Sequence, residues 1–142
     1  MAKQSILIKA PIETVFNTIV DFESYPQFLP EIKMAKLDWC EDRQIEVSFK
    51  INLIKEISYT LKIELDKPQG VYWQLKRGDL MKMNEGSWEL KAKGDSSTEA
   101  TYTIDVTFGL WVPKAITEAL VEKNLPQTLK RFKKRAEFMT RM

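Results

Sequence analysis

Residues 44–66 read Gln-Ile-Glu-Val-Ser-Phe-Lys-Ile-Asn-Leu-Ile-Lys-Glu-Ile-Ser-Tyr-Thr-Leu-Lys-Ile-Glu-Leu-Asp. Ile45, Val47, Phe49, Ile51 and Leu53 alternate with polar residues, and Ile57, Tyr59, Leu61, Ile63 and Leu65 do so again. Successive side chains of a strand point to opposite faces, so each set predicts a strand that is apolar on one face and wet on the other. The same period recurs over Val71, Trp73 and Leu75, over Trp88, Leu90 and Ala92, and over Ala100, Tyr102, Ile104, Val106 and Phe108. Glu41-Asp42, Lys67-Pro68-Gln69-Gly70 and Gly94-Asp95-Ser96-Ser97 carry turn chemistry between the runs. Short connections imply an antiparallel meander. The polar outer face leaves no surface on which a second sheet could pack, which argues against a β-sandwich.

Two segments outside the alternation have helical spacing. In one, Ile12, Val15, Phe16 and Ile19 follow Pro11, a residue suited to a first helical turn. A second short helix or turn is expected over 23–29, ending at Pro30. The other segment, 113–141, places Ile116, Ala119, Leu120, Leu125, Leu129, Phe132, Ala136 and Met139 on one stripe. Pro126 within it lacks a backbone donor and is expected to kink or split the helix. The expected fold is α+β: a curved antiparallel sheet of about seven strands, two short helices after the first strand, and a long C-terminal helix. That helix is the only element long enough to cover the apolar face. A twisted sheet gripping one helix need not fill the space between them, and a cavity is expected there. With 142 residues, the chain reads as one domain spanning 1–142.

Composition narrows the chemistry. The chain has no histidine, one cysteine and five glycines. These numbers exclude a Ser-His-Asp or Cys-His couple, histidine-ligated metal, an internal disulfide and a multi-thiolate zinc site. No glycines are spaced as a nucleotide-binding loop. No cofactor or metal is expected. Cys40, with no basic neighbour to activate it, reads as a buried structural residue. Six basic residues crowd 130–142 against one acid, Glu137; the rest of the chain has 16 basic and 19 acidic side chains, a net of −3. The basic end reads as a solvated helix face, with peripheral contact to an anionic membrane or RNA as alternatives. Residues 1–10 alternate rather than form a signal peptide, and no apolar run is long enough to span a bilayer. A cytoplasmic protein is expected, with peripheral membrane association open and no DNA partner.

Several motifs follow one another in a recognisable order. Ser24-Tyr25-Pro26-Gln27-Phe28-Leu29-Pro30 follows the first helices, Lys55-Glu56-Ile57-Ser58-Tyr59-Thr60 enters a strand, and Gly86-Ser87-Trp88 opens the penultimate strand. Thr98 to Phe108 and then Pro113 complete the series. The whole chain thereby resembles the START-like, helix-grip superfamily, in its coenzyme-Q-binding and polyketide cyclase/dehydrase branch. The resemblance implies a protein that encloses an apolar ligand between sheet and last helix. Relatives of that kind handle isoprenoid quinones, lipids, sterols and polyketides, and one bacterial subgroup blocks association of ribosomal subunits.

Strand parity places Phe49, Leu53, Tyr59, Leu61, Trp73, Leu75, Trp88, Tyr102, Ile104 and Val106 on the inner face, opposite Ile116 and Leu120 of the helix. Each side chain alone could be packed core, yet bulky aromatics on one concave face also suit the wall of an apolar cavity. Arg77 shares strand parity with Trp73 and Leu75 and is a candidate polar contact. Phe28, Leu29 and Ile54 are candidates for the entrance, and Trp111 for an interface anchor. Among acids, Glu64 and Glu89 face outward by parity, and Glu85 is expected in a turn formed by Asn84-Glu85-Gly86. No inward carboxylate pair is visible. These observations favour a carrier of an apolar small molecule, an isoprenoid quinone or lipid, over an enzyme. A ribosome-associated regulator and a polyketide cyclase or dehydratase are the alternatives.

Overall fold

The computed structural model describes residues 1–141 apart from 53–54 and 110–111, together with all side chains in its helices and strands except those of Ile116, Ala119 and Leu120. Seven strands form one antiparallel sheet: β1 (Ala2–Ile8), β2 (Ile32–Glu41), β3 (Gln44–Asn52), β4 (Glu56–Asp66), β5 (Gly70–Gly78), β6 (Met81–Ala92) and β7 (Thr98–Phe108). Their spatial order is β1-β7-β6-β5-β4-β3-β2. The five last-formed connections are thus a simple meander, as the turn residues predict. Only the link from β1 to β2 crosses from one edge of the sheet to the other. It contains α1 (Ile12–Val20) and a 3-10 helix (Phe22–Gln27).

The alternation in β3 becomes a burial pattern. Ile45, Val47, Phe49 and Ile51 are buried, and Gln44, Lys50 and Asn52 are exposed. Pairing sets Phe49 opposite Tyr59, Val47 opposite Leu61 and Ile45 opposite Ile63, so both strands present one apolar face. α2 (Lys114–Thr140) crosses that face. Leu125, Leu129, Phe132 and Ala136 recur at spacings of four, three and four and are all buried. Pro126 does not split α2, which continues through it. The missing Pro126 donor costs one helical hydrogen bond, which burial of Leu125, Leu129, Phe132 and Ala136 offsets.

Three expectations change. Asn84-Glu85-Gly86 is not a turn but the middle of β6, where Gly86 pairs with Trp73 on one side and Ile104 on the other. Cys40 is exposed rather than buried. It lies in the outer half of the edge strand β2, where every residue from Lys36 to Glu41 is exposed. Arg77 does not share the inner face with Trp73 and Leu75. Leu61 pairs with Leu75 but Thr60 pairs with Arg77, so the strand has an extra residue, Lys76, between them. A bulge of this kind re-aims the following side chain, and the exposed Arg77 is turned to the outer face with Thr60.

Candidate functional site

The inner face and α2 do not close on each other completely. Between them lies a cavity of about 200 Å³, with a predominantly apolar wall. Phe49, Tyr59, Leu61, Trp73, Trp88, Tyr102, Ile104 and Val106 line it, in agreement with strand parity. Leu75 is half-buried and packs against the core without reaching the cavity. Leu53 and Ile54 lie outside the described residues, as do Trp111 and the side chains of Ile116 and Leu120. From α2 the described lining residues are Val121, Asn124, Leu125, Thr128 and Phe132.

Phe132 is the centre of the aromatic wall. Its ring centroid is 5.0 Å from Trp88, 5.3 Å from Tyr25 and 5.2 Å from Phe28, each in an edge-on arrangement. Such geometry sets the positive edge of one ring against the negative face of another. Tyr59 stacks on Phe49 at 5.3 Å, and Tyr102 lies 4.8 Å from Trp88 and 5.6 Å from Trp73. The two residues expected at the entrance separate. Leu29 is buried and belongs to the cavity wall. Phe28 is half-buried outside that wall, edge-on to Tyr25 and Phe132.

Trp73 occupies its position because of Gly86. A Cβ at residue 86 would stand 2.4 Å from the Trp73 ring and 2.3 Å from the Thr103 carbonyl oxygen. Without that atom, the indole lies against the β6 backbone instead of projecting into the cavity. Its Nε1–H donates to Asn84 Oδ1 at 3.1 Å, and the Asn84 amide donates to Met81 Sδ at 3.7 Å. The indole is therefore fixed at both its ring and its polar end.

The polar groups of the cavity are few. Tyr25 donates its hydroxyl to the Ile19 carbonyl and so ties the 3-10 helix to α1. Among the described residues, the hydroxyls of Tyr59 and Tyr102 have no protein hydrogen-bond partner and remain available to the cavity. Burial pushes both phenols well above their ordinary range; the Tyr102 phenol adds to this at Tyr59, and the Glu31 carboxylate raises both. Both hydroxyls thus stay neutral donors at any physiological pH. Glu31 lines the same cavity. It stands just before β2, between Pro30 and the strand, where period-two reading has no purchase. Half-buried Glu31, Ile32, Val121 and Thr128 and exposed Asn124 mark where the cavity reaches solvent. Among the described residues, no cluster of cysteine and carboxylate side chains is arranged to hold a metal ion.

Comparison with known proteins places this geometry. No curated protein gives a significant sequence match. Among solved structures, the START superfamily protein of Mycobacterium smegmatis superposes with a TM-score of 0.86 at 22% identity, over 98% of each chain. The Zhui aromatase/cyclase of a Streptomyces species also has a TM-score of 0.86, at 15% identity over 96% of this chain and 92% of that one. A STAR-related lipid transfer protein of Xanthomonas axonopodis has a TM-score of 0.75 at 14% identity, over 94% and 84%. These likenesses show the helix-grip fold of the START superfamily. Residues 8–133 match the family described as polyketide cyclase / dehydrase and lipid transport, and the chain, matched over most of its length, belongs to that family.

Proposed function

We propose that the protein binds an apolar small molecule in the cavity between the sheet and α2. The observation that carries this reading is the cavity itself: an aromatic and aliphatic wall interrupted by a few polar side chains, among them the Tyr59 and Tyr102 phenols and the Glu31 carboxylate. Ligand sites are commonly apolar with a few placed polar groups. Its volume, about 200 Å³, is below the ~300 Å³ at which sites for drug-sized ligands begin. A compact ring therefore fits, and any attached chain leads out where the lining reaches solvent, with Glu31 and Asn124 among the residues there. An isoprenoid quinone meets these demands. Its ring would lie among Trp88, Trp73 and Phe132, a carbonyl would accept from Tyr59 or Tyr102, and its tail would leave at the open side. A lipid with a small cyclic head would bind in the same way. The STAR-related lipid transfer neighbour supports this class of ligand.

Quinone binding is read by quenching of tryptophan fluorescence, since Trp73 and Trp88 line the cavity. Naphthoquinone is expected to quench saturably, and Tyr59→Phe and Tyr102→Phe each to weaken binding by about fivefold, the value of one hydrogen bond. If organic extraction finds the purified protein empty and neither naphthoquinone nor a fatty acid binds saturably, the reading fails.

A second reading, a cyclase or dehydratase, has Glu31 in its favour, together with the aromatase/cyclase neighbour. A carboxylate near two neutral phenols can take a proton from carbon next to a ketone while the phenols donate to the enolate oxygen. This reading predicts deuterium exchange next to the carbonyl of added tetralone, abolished by Glu31→Gln. Binding without exchange leaves the carrier reading alone.

A further inference from the structure

The last turns of α2 carry a feature that ligand binding does not use. A groove of about 480 Å³ is lined by Phe28, Arg131, Lys134, Arg135, Phe138 and Arg141. Four of these six are cations, two are phenylalanines and none is an acid. Glu137, the only acid of this stretch, points elsewhere: it bonds Lys133 and accepts from the backbone N–H of Lys9 at 2.9 Å. Among the described residues, none of the four groove cations is in an ion pair with a carboxylate. Arg135 is instead held by neutral groups, donating to Gln27 Oε1 at 2.6 Å with its guanidinium 5.3 Å from the centre of the Phe28 ring. Phe138 is 50% exposed and its neighbour Met139 41%. Uncompensated cations around exposed apolar side chains at one end of a helix suit a surface that is negative outside and apolar just beneath.

We propose that this groove is a docking surface for a bilayer containing anionic phospholipids, with Arg131, Lys134, Arg135 and Arg141 at the phosphate level and Phe138 below it. Charge complementarity selects the lipid: each cation near an anionic leaflet adds attraction, and a buried aromatic ring adds apolar contact that salt cannot screen. The exposed phenylalanine and methionine favour a membrane over RNA, whose backbone would be met by cations alone. The position gives the contact a use. Phe28 forms the floor of the groove and is one ring-layer from the cavity, with its centroid 5.2 Å from Phe132 and 5.7 Å from Tyr25, both cavity-lining residues. The docked face is thereby separated from the cavity wall by a single ring, that of Phe28.

Vesicle co-sedimentation of the full chain tests the proposal without any cavity ligand. Binding is expected to vesicles of phosphatidylcholine with phosphatidylglycerol and not to phosphatidylcholine alone. It should fall steeply near 1 M salt, where the screening length is about 3 Å. Lys134→Gln with Arg141→Gln should weaken it on the order of tenfold or more, at roughly fivefold per cation. Neither side chain makes a bond within the protein among the described residues, so this double variant should fold normally. Phe138→Ser should also weaken binding while leaving its salt dependence intact. Equal binding to both vesicle types, or unchanged binding by the double variant, overturns the proposal. So does tight binding to polyuridylate that phosphatidylglycerol vesicles cannot displace. Each of these results is independent of whether naphthoquinone enters the cavity.

Discussion

The same strands build two unlike surfaces. On the inner face, rings meet rings: Phe132 touches Trp88, Tyr25 and Phe28, and Tyr102 bridges Trp88 and Trp73. On the outer face, short polar side chains and ions pair across strands. Lys76 Nζ lies 2.7 Å from Glu46 Oε1, Ser48 and Thr60 hydroxyls are 2.8 Å apart, and so are those of Ser5 and Thr101. The first face removes apolar area from water at about 25 cal/mol per Å². The second supplies cross-strand pairs worth at most about 1 kcal/mol each. The inner face therefore carries most of the stability, and the outer face adds weaker ties between strands. A cavity on the inner face accordingly removes packing from the surface that matters most.

The largest expected break in this asymmetry is Phe132→Ala. It removes the ring at which the helix and sheet aromatics converge, and should cost about 3–5 kcal/mol by denaturant unfolding. An apolar outer-face change such as Thr60→Val should cost far less; equal losses would deny the division between the faces. Gly86→Ala comes next. The added methyl meets the Thr103 carbonyl and the Trp73 ring, so the indole must swing into the cavity, at about 1–3 kcal/mol. Quenching by naphthoquinone should weaken in the same variant. A variant that loses stability but binds the quinone unchanged would show that Trp73 does not limit the cavity. The smallest effect is seen only at alkaline pH. Tyr25 of the 3-10 helix and Tyr59 and Tyr102 of the inner face are raised chiefly by burial, and half-exposed Tyr72 of the outer face is raised chiefly by its slighter burial and then by Glu89 and Asp66. A raised phenol favours the fold while protonated, so this stability is fully present below the unfolded value of about 10 and is lost as pH climbs through the folded values. Phenolate absorbance should show one tyrosine ionising first and three only as the protein unfolds. Four ionising together with the fold intact would erase the distinction.

Alternation made most of this legible beforehand. Period two is enough to orient Phe49, Tyr59, Leu61, Trp73 and Trp88, since each strand there runs without interruption. It fails at Arg77 because a bulge belongs to a pair of strands: Lys76 is extra only relative to Thr60 across the ladder. Asn84-Glu85-Gly86 is similar. Its residue types suggest a turn, and the decisive fact is the neighbouring Trp73, whose ring needs a residue without a Cβ opposite it. Cys40 misleads through general cysteine burial, overridden by the edge position of β2. Glu31 was missed because it precedes the strand, where no alternation assigns a face. The groove cations were visible as a basic run. That Phe28, a hundred residues earlier, lies beneath them depends on how α2 crosses the fold.

The strand order also bears on synthesis. Six strands pair with a neighbour in sequence, but β1 pairs only with β7, with Ser5 opposite Thr101. As the chain emerges from its N-terminus, residues 2–8 must wait until residues 98–108 are made. The meander β2 to β7 can form while that first strand is still solvated. Closing so long a loop is slow and comes late, and until then the free edge of β7 is open to a strand from another chain. Ala2, Gln4 and Ile6, which share the half-buried face of this short strand, are thus among the last side chains to find their places.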